Sequence, residues 1–112
     1  MQGQILYSKG LLERLDVSST QELFLVLQLG ELEFSGVFLK LLINDDGMIL
    51  KGKFNKNVQV FKIHEYKSTK AIIKYNNNNI IIDFDITNIE IENKMESLIL
   101  GLGAKQYEIK TV

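Results

Sequence analysis

The sequence predicts a single α+β domain, residues 1–112, built on an antiparallel β-meander of about five to six strands, with short N-terminal helices and a late short helix. Three observations support this class. A chain of 112 residues fits one domain. Apolar and polar residues alternate with a period close to two from residue 31 onward, which is typical of strands. Helix-capping signals occur only before and after that alternating region.

Two helices are predicted at the N-terminus. Residues 8–16 combine an N-cap at Ser8 with leucines on one helical face, at positions 11, 12 and 15. Residues 19–30 carry a capping box at Ser19 and Glu22 and a C-terminal Gly30. A strand is the alternative for this second segment, because it would place four leucines on one face: Leu23, Leu25, Leu27 and Leu29.

The middle of the chain predicts strands separated by turns. Asp45-Asp46-Gly47 carries the aspartate-glycine signal of a hairpin. We expect strand faces formed by Val37, Leu39, Leu41 and Ile43, and further strands over residues 48–54, 58–64, 71–75 and 80–86. The alternation changes phase near Thr87-Asn88, which predicts a bulge or tight bend.

The end of the chain predicts one more helix and one more strand. Asn93 is a good N-cap for a helix over residues 94–100, which Gly101 or Gly103 would end. A last short strand follows over residues 107–111.

Catalytic chemistry is not indicated. The chain has no cysteine, which excludes disulfides, thiol nucleophiles and thiolate metal sites. His64 is the only histidine, and the adjacent Glu65 would point to the opposite face of a strand. Asp83 and Asp85 would lie about 7 Å apart on one strand face, an arrangement more typical of a solvated surface. We therefore expect a non-enzymatic protein with no cofactor and no bound metal.

Charge is polarised along the chain although the net charge is only −1. Residues 51–75 contain seven lysines and one glutamate, while both flanking segments are acidic. Lysines on neighbouring strands can follow a phosphate backbone. Nucleic-acid or anion contacts are therefore predicted for Lys51, Lys53, Lys62 and His64, although Phe54 and Phe61 are expected to face inward.

The high aliphatic content, 46% hydrophobic residues overall, predicts apolar surface left over for a partner. We place this candidate interface at Phe38 and Leu42, with Asp83 and Asp85 as an acidic complement to a basic partner. The resulting hypothesis is a small protein-interaction module, such as an inhibitor, an immunity or accessory protein of a mobile element, or an assembly subunit, with self-association as a homodimer included. A nucleic-acid-binding β-domain using residues 51–75 is the alternative.

No apolar run reaches the roughly 18 residues that span a bilayer, and no secretory signal is visible. The expected location is the cytoplasm, with no membrane partner.

Three short motifs resemble a known family. They are Gly10-Leu11-Leu12, then Glu22-Leu23 with Leu27, then Ser35-Gly36-Val37 with Leu39 and Leu41. This pattern resembles the opening of PATAN-type domains of bacterial signalling proteins, with a leucine-rich helix followed by a glycine-valine entry into a strand. The resemblance implies a protein-interaction module in signalling and assigns no role to individual residues.

Overall fold

The computed structural model describes residues 23–58, 60–75 and 78–111. These residues form one sheet of eight antiparallel strands, and the described part of the chain contains one short 3₁₀ helix, Val60–Glu65. The predicted α+β class is therefore wrong, because the chain is almost entirely antiparallel sheet. The strands are β1 (Leu23–Leu29), β2 (Leu32–Asn44), β3 (Gly47–Asn55), β4 (Ser68–Tyr75), β5 (Asn78–Asp85), β6 (Asn88–Asn93), β7 (Ser97–Ala104) and β8 (Tyr107–Thr111).

The sheet curls around a single core. Its strand order is β6-β7-β3-β2-β1-β4-β5-β8, so β5 and β6 stand near opposite ends. Only Ile86 and Thr87 separate these two strands in the chain. The two ends of the sheet must therefore lie close together, and side chains from both halves meet in one hydrophobic cluster.

The leucine-rich segment is a strand, not the helix predicted over residues 19–30. All four odd-numbered leucines of β1 are buried, and the strand pairs with β2 on one side and β4 on the other. Gly30, expected as a helix C-cap, has φ of 60° and forms the turn between β1 and β2. The capping box and the helix predicted over residues 8–16 lie outside the described residues.

A register shift in β2 changes which side chains face the core. The shift lies between Phe38 and Lys40, so the side-chain alternation changes phase there. Phe38 is 1% exposed and lies in the core, whereas Val37 takes the outer face. The predicted shared face of Val37, Leu39, Leu41 and Ile43 is therefore wrong.

The hairpin between β2 and β3 is confirmed. Residues 45 and 46 form its turn, in which the Asp46 N–H donates to Asn44 Oδ1 at 2.8 Å. Gly47 follows at φ of 137°, a conformation that favours glycine. The strands predicted over 48–54, 71–75, 80–86 and 107–111 are also confirmed, with ends shifted by a few residues.

The segment predicted as a strand over residues 58–64 instead contains the 3₁₀ helix. Both sides of β3 are already occupied, by β2 and β7, so a returning strand has no free edge beside it. The helix places Ile63 in the core and leaves His64 exposed.

The late helix predicted over residues 94–100 is also wrong. Its second half lies in β7, where Leu98, Leu100 and Leu102 face the core alternately. The Lys94 N–H donates to the Ser97 carbonyl at 2.9 Å and closes a β6–β7 hairpin. Tertiary pairing with β3 and β6 thus overrides a short helix-capping signal.

The predicted phase change near Thr87-Asn88 is where the chain changes sheet partners. Before it, β5 pairs with β4 and β8; after it, β6 pairs with β7. Phe84 and Ile89 both contact the core although their positions differ in parity. The break lies between two strands instead of forming a bulge in one.

Candidate interaction surface

The outer side of the sheet carries an exposed aromatic ring at its centre. Phe24 in β1 is 67% exposed. Its cross-strand neighbours are Val37 in β2 and Lys74 in β4, and Lys53 in β3 lies beyond Val37. Adjacent strands are about 4.8 Å apart, so the ring lies between two lysines within one row of side chains.

Apolar side chains continue from Phe24 into the next row. Val26 pairs with Ile72, which in turn pairs with Ile81, and all three are half-buried. Together with the half-buried Val37 they form a contiguous apolar area across four strands. We call this surface the Phe24 face and define it as Phe24, Val26, Val37, Ile72 and Ile81.

A hollow of about 230 Å³ opens beside the Phe24 ring. Gly36, Lys53 and Phe54 are among the residues that line it. A Cβ at Gly36 would overlap the Lys53 carbonyl oxygen and the Phe54 ring, so glycine allows the close approach of Phe54 to β2.

Lysines surround the Phe24 face on the neighbouring strands. Lys74 lies directly beside Phe24, Lys53 lies one strand beyond Val37, and Lys40 pairs with Lys51 one row away. Acidic residues lie farther out, at Glu92 in the same row as Phe24 and at Asp83 beyond Ile81. The immediate surroundings of the ring are therefore basic.

The four residues predicted to contact nucleic acid divide between two places. Lys51 and Lys53 lie on the outer side of β3, as predicted. Lys62 and His64 belong to the 3₁₀ helix, so the expectation that they share a strand is wrong. His64 lines a different hollow, together with Tyr66 and Asn88.

The residues predicted as a protein interface are also separated. Phe38 lies in the core and offers no surface, whereas Leu42 is exposed beside Ile49 on the outer side of the sheet. Asp83 and Asp85 line an open hollow of about 480 Å³. In register, Asp83 has Lys70 on one side and Glu108 on the other, so a lysine and a further acidic residue lie beside it. A role of these residues in an interface stays a prediction.

Within the described ranges, no group of three or more histidine or acidic side chains is arranged to hold a metal ion. One ionisable group there has a clearly shifted pKa. A hydrogen bond from Lys94 and its positive charge lower the pKa of Glu92, with a smaller contribution from Lys51. The Lys94 Nζ lies 2.7 Å from Glu92 Oε1.

Phe24 was missed at the sequence level because residues 19–30 were assigned to a buried helix. A usable signal was present, since Phe24 and Val26 alternate with the four leucines and lie opposite them in a strand. A strand that is apolar on both faces predicts either a second covering layer or an exposed apolar surface.

Comparisons with protein-family models, curated proteins and solved structures found no match to this chain. The resemblance to PATAN-type domains thus has no support from a family match. The fold also departs from it, since Leu23 and Leu27 lie in a strand and Ser35-Gly36-Val37 lies within β2 instead of at its start. No helix among the described residues is long and apolar enough to cross a membrane.

Proposed function

We propose that this protein is a non-enzymatic protein-interaction module that binds its partner through the Phe24 face. The observation that carries the proposal is the 67% exposure of Phe24 within an apolar area that crosses four strands. Large exposed apolar areas with polar rims are typical of protein-binding surfaces. Aromatic side chains next to a pocket also supply much of the binding energy in such interfaces.

The charges around the face indicate the chemistry of the partner. Lys53 and Lys74 flank Phe24 in one row, and Lys40 and Lys51 occupy the next. A second copy of this face would bring lysines against lysines, which disfavours symmetric self-association through it. The partner that fits presents one large apolar side chain flanked by carboxylates, with the apolar group in the hollow beside Phe24.

The test is a binding titration of the full chain, followed by NMR at the backbone amides. The probe is a peptide with one leucine flanked by aspartate and glutamate, and its control has lysine in place of the acids. We expect the acidic peptide to shift the signals of Val37, Lys53 and Lys74.

The matched variants for this titration are F24S and I49S. Both replace an exposed apolar side chain on the outer side of the sheet, but Ile49 lies away from the Phe24 face. F24S is expected to weaken binding at least tenfold, a loss of about 1.4 kcal/mol. Equal affinities for F24S and the unchanged chain would refute the proposal.

Nucleic-acid binding is a second candidate at the same surface. The specific observation in its favour is the ring of Phe24 between two lysines, which resembles a stacking position beside phosphate contacts. The apolar row formed by Val26, Ile72 and Ile81 favours the protein partner, because it offers nothing to a phosphate. Titration with single-stranded oligothymidylate at about 50 mM salt separates the two, since phosphate contacts are strongest at low salt.

The cytoplasmic location and the homodimer stay predictions. Light-scattering mass at low and high salt tests the second of them. The lysines around the Phe24 face instead favour a monomer, because two copies of this face would oppose like charges. A salt-independent dimer that F24S dissociates would make a second copy the occupant of the Phe24 face.

A further inference from the structure

Among the described strands, β6 has a neighbour on one side only. Within the described residues it pairs with β7 on one side and with no strand on the other. The edge is six residues long, Asn88–Asn93. Open edges of this kind can accept a strand from another protein.

The backbone of β6 offers hydrogen-bonding groups at this edge. The Lys94 N–H donates to the Ser97 carbonyl, and hydrogen-bonded pairs recur at every second residue of an antiparallel ladder. Glu90 and Glu92 therefore direct their backbone groups toward β7. The N–H and C=O groups of the alternate residue Ile91 point away from β7, toward the open edge.

A hollow lies beside the start of the same edge. It has a volume of about 360 Å³ and separates Ile89 and Asn88 from the segment that includes His64 and Tyr66. Just before β6 begins, the Ile86 N–H donates to the Lys67 carbonyl at 2.6 Å.

The side chains of β6 indicate what kind of strand fits. Ile91 is 40% exposed on the core side, and Met95 in the following turn is 93% exposed. Glu90 and Glu92 are exposed on the outer side. A complementary strand would thus cover the isoleucine with apolar residues and oppose the two glutamates with basic residues.

A second copy of β6 does not meet this requirement. An antiparallel β6–β6 pairing with Ile91 opposite Ile91 keeps both core faces on one side and brings Glu90 of each copy against Glu92 of the other. Opposed like charges destabilise a strand pair. The acidic edge therefore disfavours self-pairing while it favours a basic strand.

We infer that β6 binds a segment of another protein by strand addition, and that the segment alternates basic and apolar residues. This site lies on a different strand from the Phe24 face and does not depend on the function proposed for that face. The added strand extends the sheet beyond β6, with its apolar residues over Ile91 and its basic residues beside Glu90 and Glu92.

The test is amide hydrogen exchange of the full chain with and without a blocked peptide that alternates lysine and valine over the length of β6. We expect the peptide to slow exchange at Ile89 and Ile91, whose amides point to the open edge. Exchange at Glu90 and Glu92 should change little. A peptide alternating glutamate and valine is the control and is expected to protect neither pair.

Two variants separate backbone pairing from side-chain contact. I91P removes the N–H at the open edge without removing a bond to β7, and I91A truncates the side chain but keeps the N–H. We expect I91P to weaken peptide binding at least tenfold more than I91A does. The double charge reversal E90K/E92K should reverse the peptide preference, so that the glutamate–valine peptide binds and the lysine–valine peptide does not. D83K, on a strand paired on both sides, is the matched charge control and should not change it.

The inference is overturned if the lysine–valine peptide protects no β6 amide, or if it binds I91P and I91A equally. Protection confined to amides near Phe24 would also overturn it and would leave the function proposed for that face standing. F24S is expected to leave peptide binding at β6 unchanged, so the two proposals fail independently.

Discussion

Strands β1 and β6 differ in how their backbones are paired and in which side chains they expose. Strand β1 lies inside the sheet, is paired on both sides and is apolar on both faces. Strand β6 lies at an end of the sheet, is paired on one side and alternates isoleucine with glutamate. Backbone pairing and side-chain exposure therefore vary independently. Among the described strands, β1 has neighbours on both sides yet exposes Phe24, whereas β6 has a neighbour on one side only.

The largest contrast is expected in the core-facing side chains of the two strands. Leu27 in β1 is 1% exposed, so L27A should lower the free energy of unfolding by about 2–5 kcal/mol. I91A in β6 removes a side chain that is already half in solvent and should cost about 1 kcal/mol or less. Urea unfolding measures both. Equal losses would mean that β6 is covered as completely as β1.

Proline substitution tests the difference in backbone hydrogen bonding between β1 and β6. V26P removes a ladder hydrogen bond in a strand paired on both sides and should cost about 1–3 kcal/mol beyond the side-chain change. The Ile91 N–H faces the open edge. I91P should therefore lower the free energy of unfolding by at most a few tenths of a kcal/mol more than I91A does. A large extra loss for I91P would show that this N–H already has an acceptor.

A smaller effect is expected where β4 meets the end of β1. Thr69 is buried, and its hydroxyl donates to the Gln28 carbonyl at 2.9 Å. T69V keeps the shape but leaves that carbonyl without this donor, at an expected cost of about 1 kcal/mol. The exposed Thr111 in β8 provides the control variant T111V, which should leave thermal stability unchanged.

The smallest effect concerns the charge on β6. Because Lys94 lowers the pKa of Glu92, this interaction stabilises the folded chain at neutral pH and is lost as the pH falls through the lowered pKa. K94A should raise the pKa of Glu92 toward the ordinary glutamate value. Carboxyl NMR titration measures it, with K110A as a control that should leave Glu92 unaffected.

Much of the sheet could be predicted from the sequence. The aspartate-glycine hairpin and the strands over 48–54, 71–75, 80–86 and 107–111 follow from local alternation and turn chemistry. Residues 19–30 and 94–100 could not be assigned correctly, because capping residues occur there beside side chains that suit a strand equally well. Pairing with distant strands decides between helix and strand in these segments, and a local sequence pattern carries no information about that pairing.

The candidate surface was less accessible to prediction. The lysines at positions 51 and 53 were identified, since alternation alone places them on one face of β3. Uninterrupted alternation along β2 places Phe38 on the surface, and this prediction is wrong. The register shift beside Phe38 exchanges the two faces of the strand. Phe24 was missed for a related reason. The Phe24 face forms only if residues 23–29 are a strand, and a helix was predicted there.

The most direct test of the comparison is amide hydrogen exchange along β1 and β6 in the full chain without any partner. Because β1 is paired on both sides, we expect slow exchange at every amide in the middle of this strand. Along β6 we expect alternation, slow at Glu90 and Glu92 and fast at Ile89 and Ile91. Uniform protection along β6 would contradict this expectation, because the edge would then already be covered by another part of the chain or by a second copy.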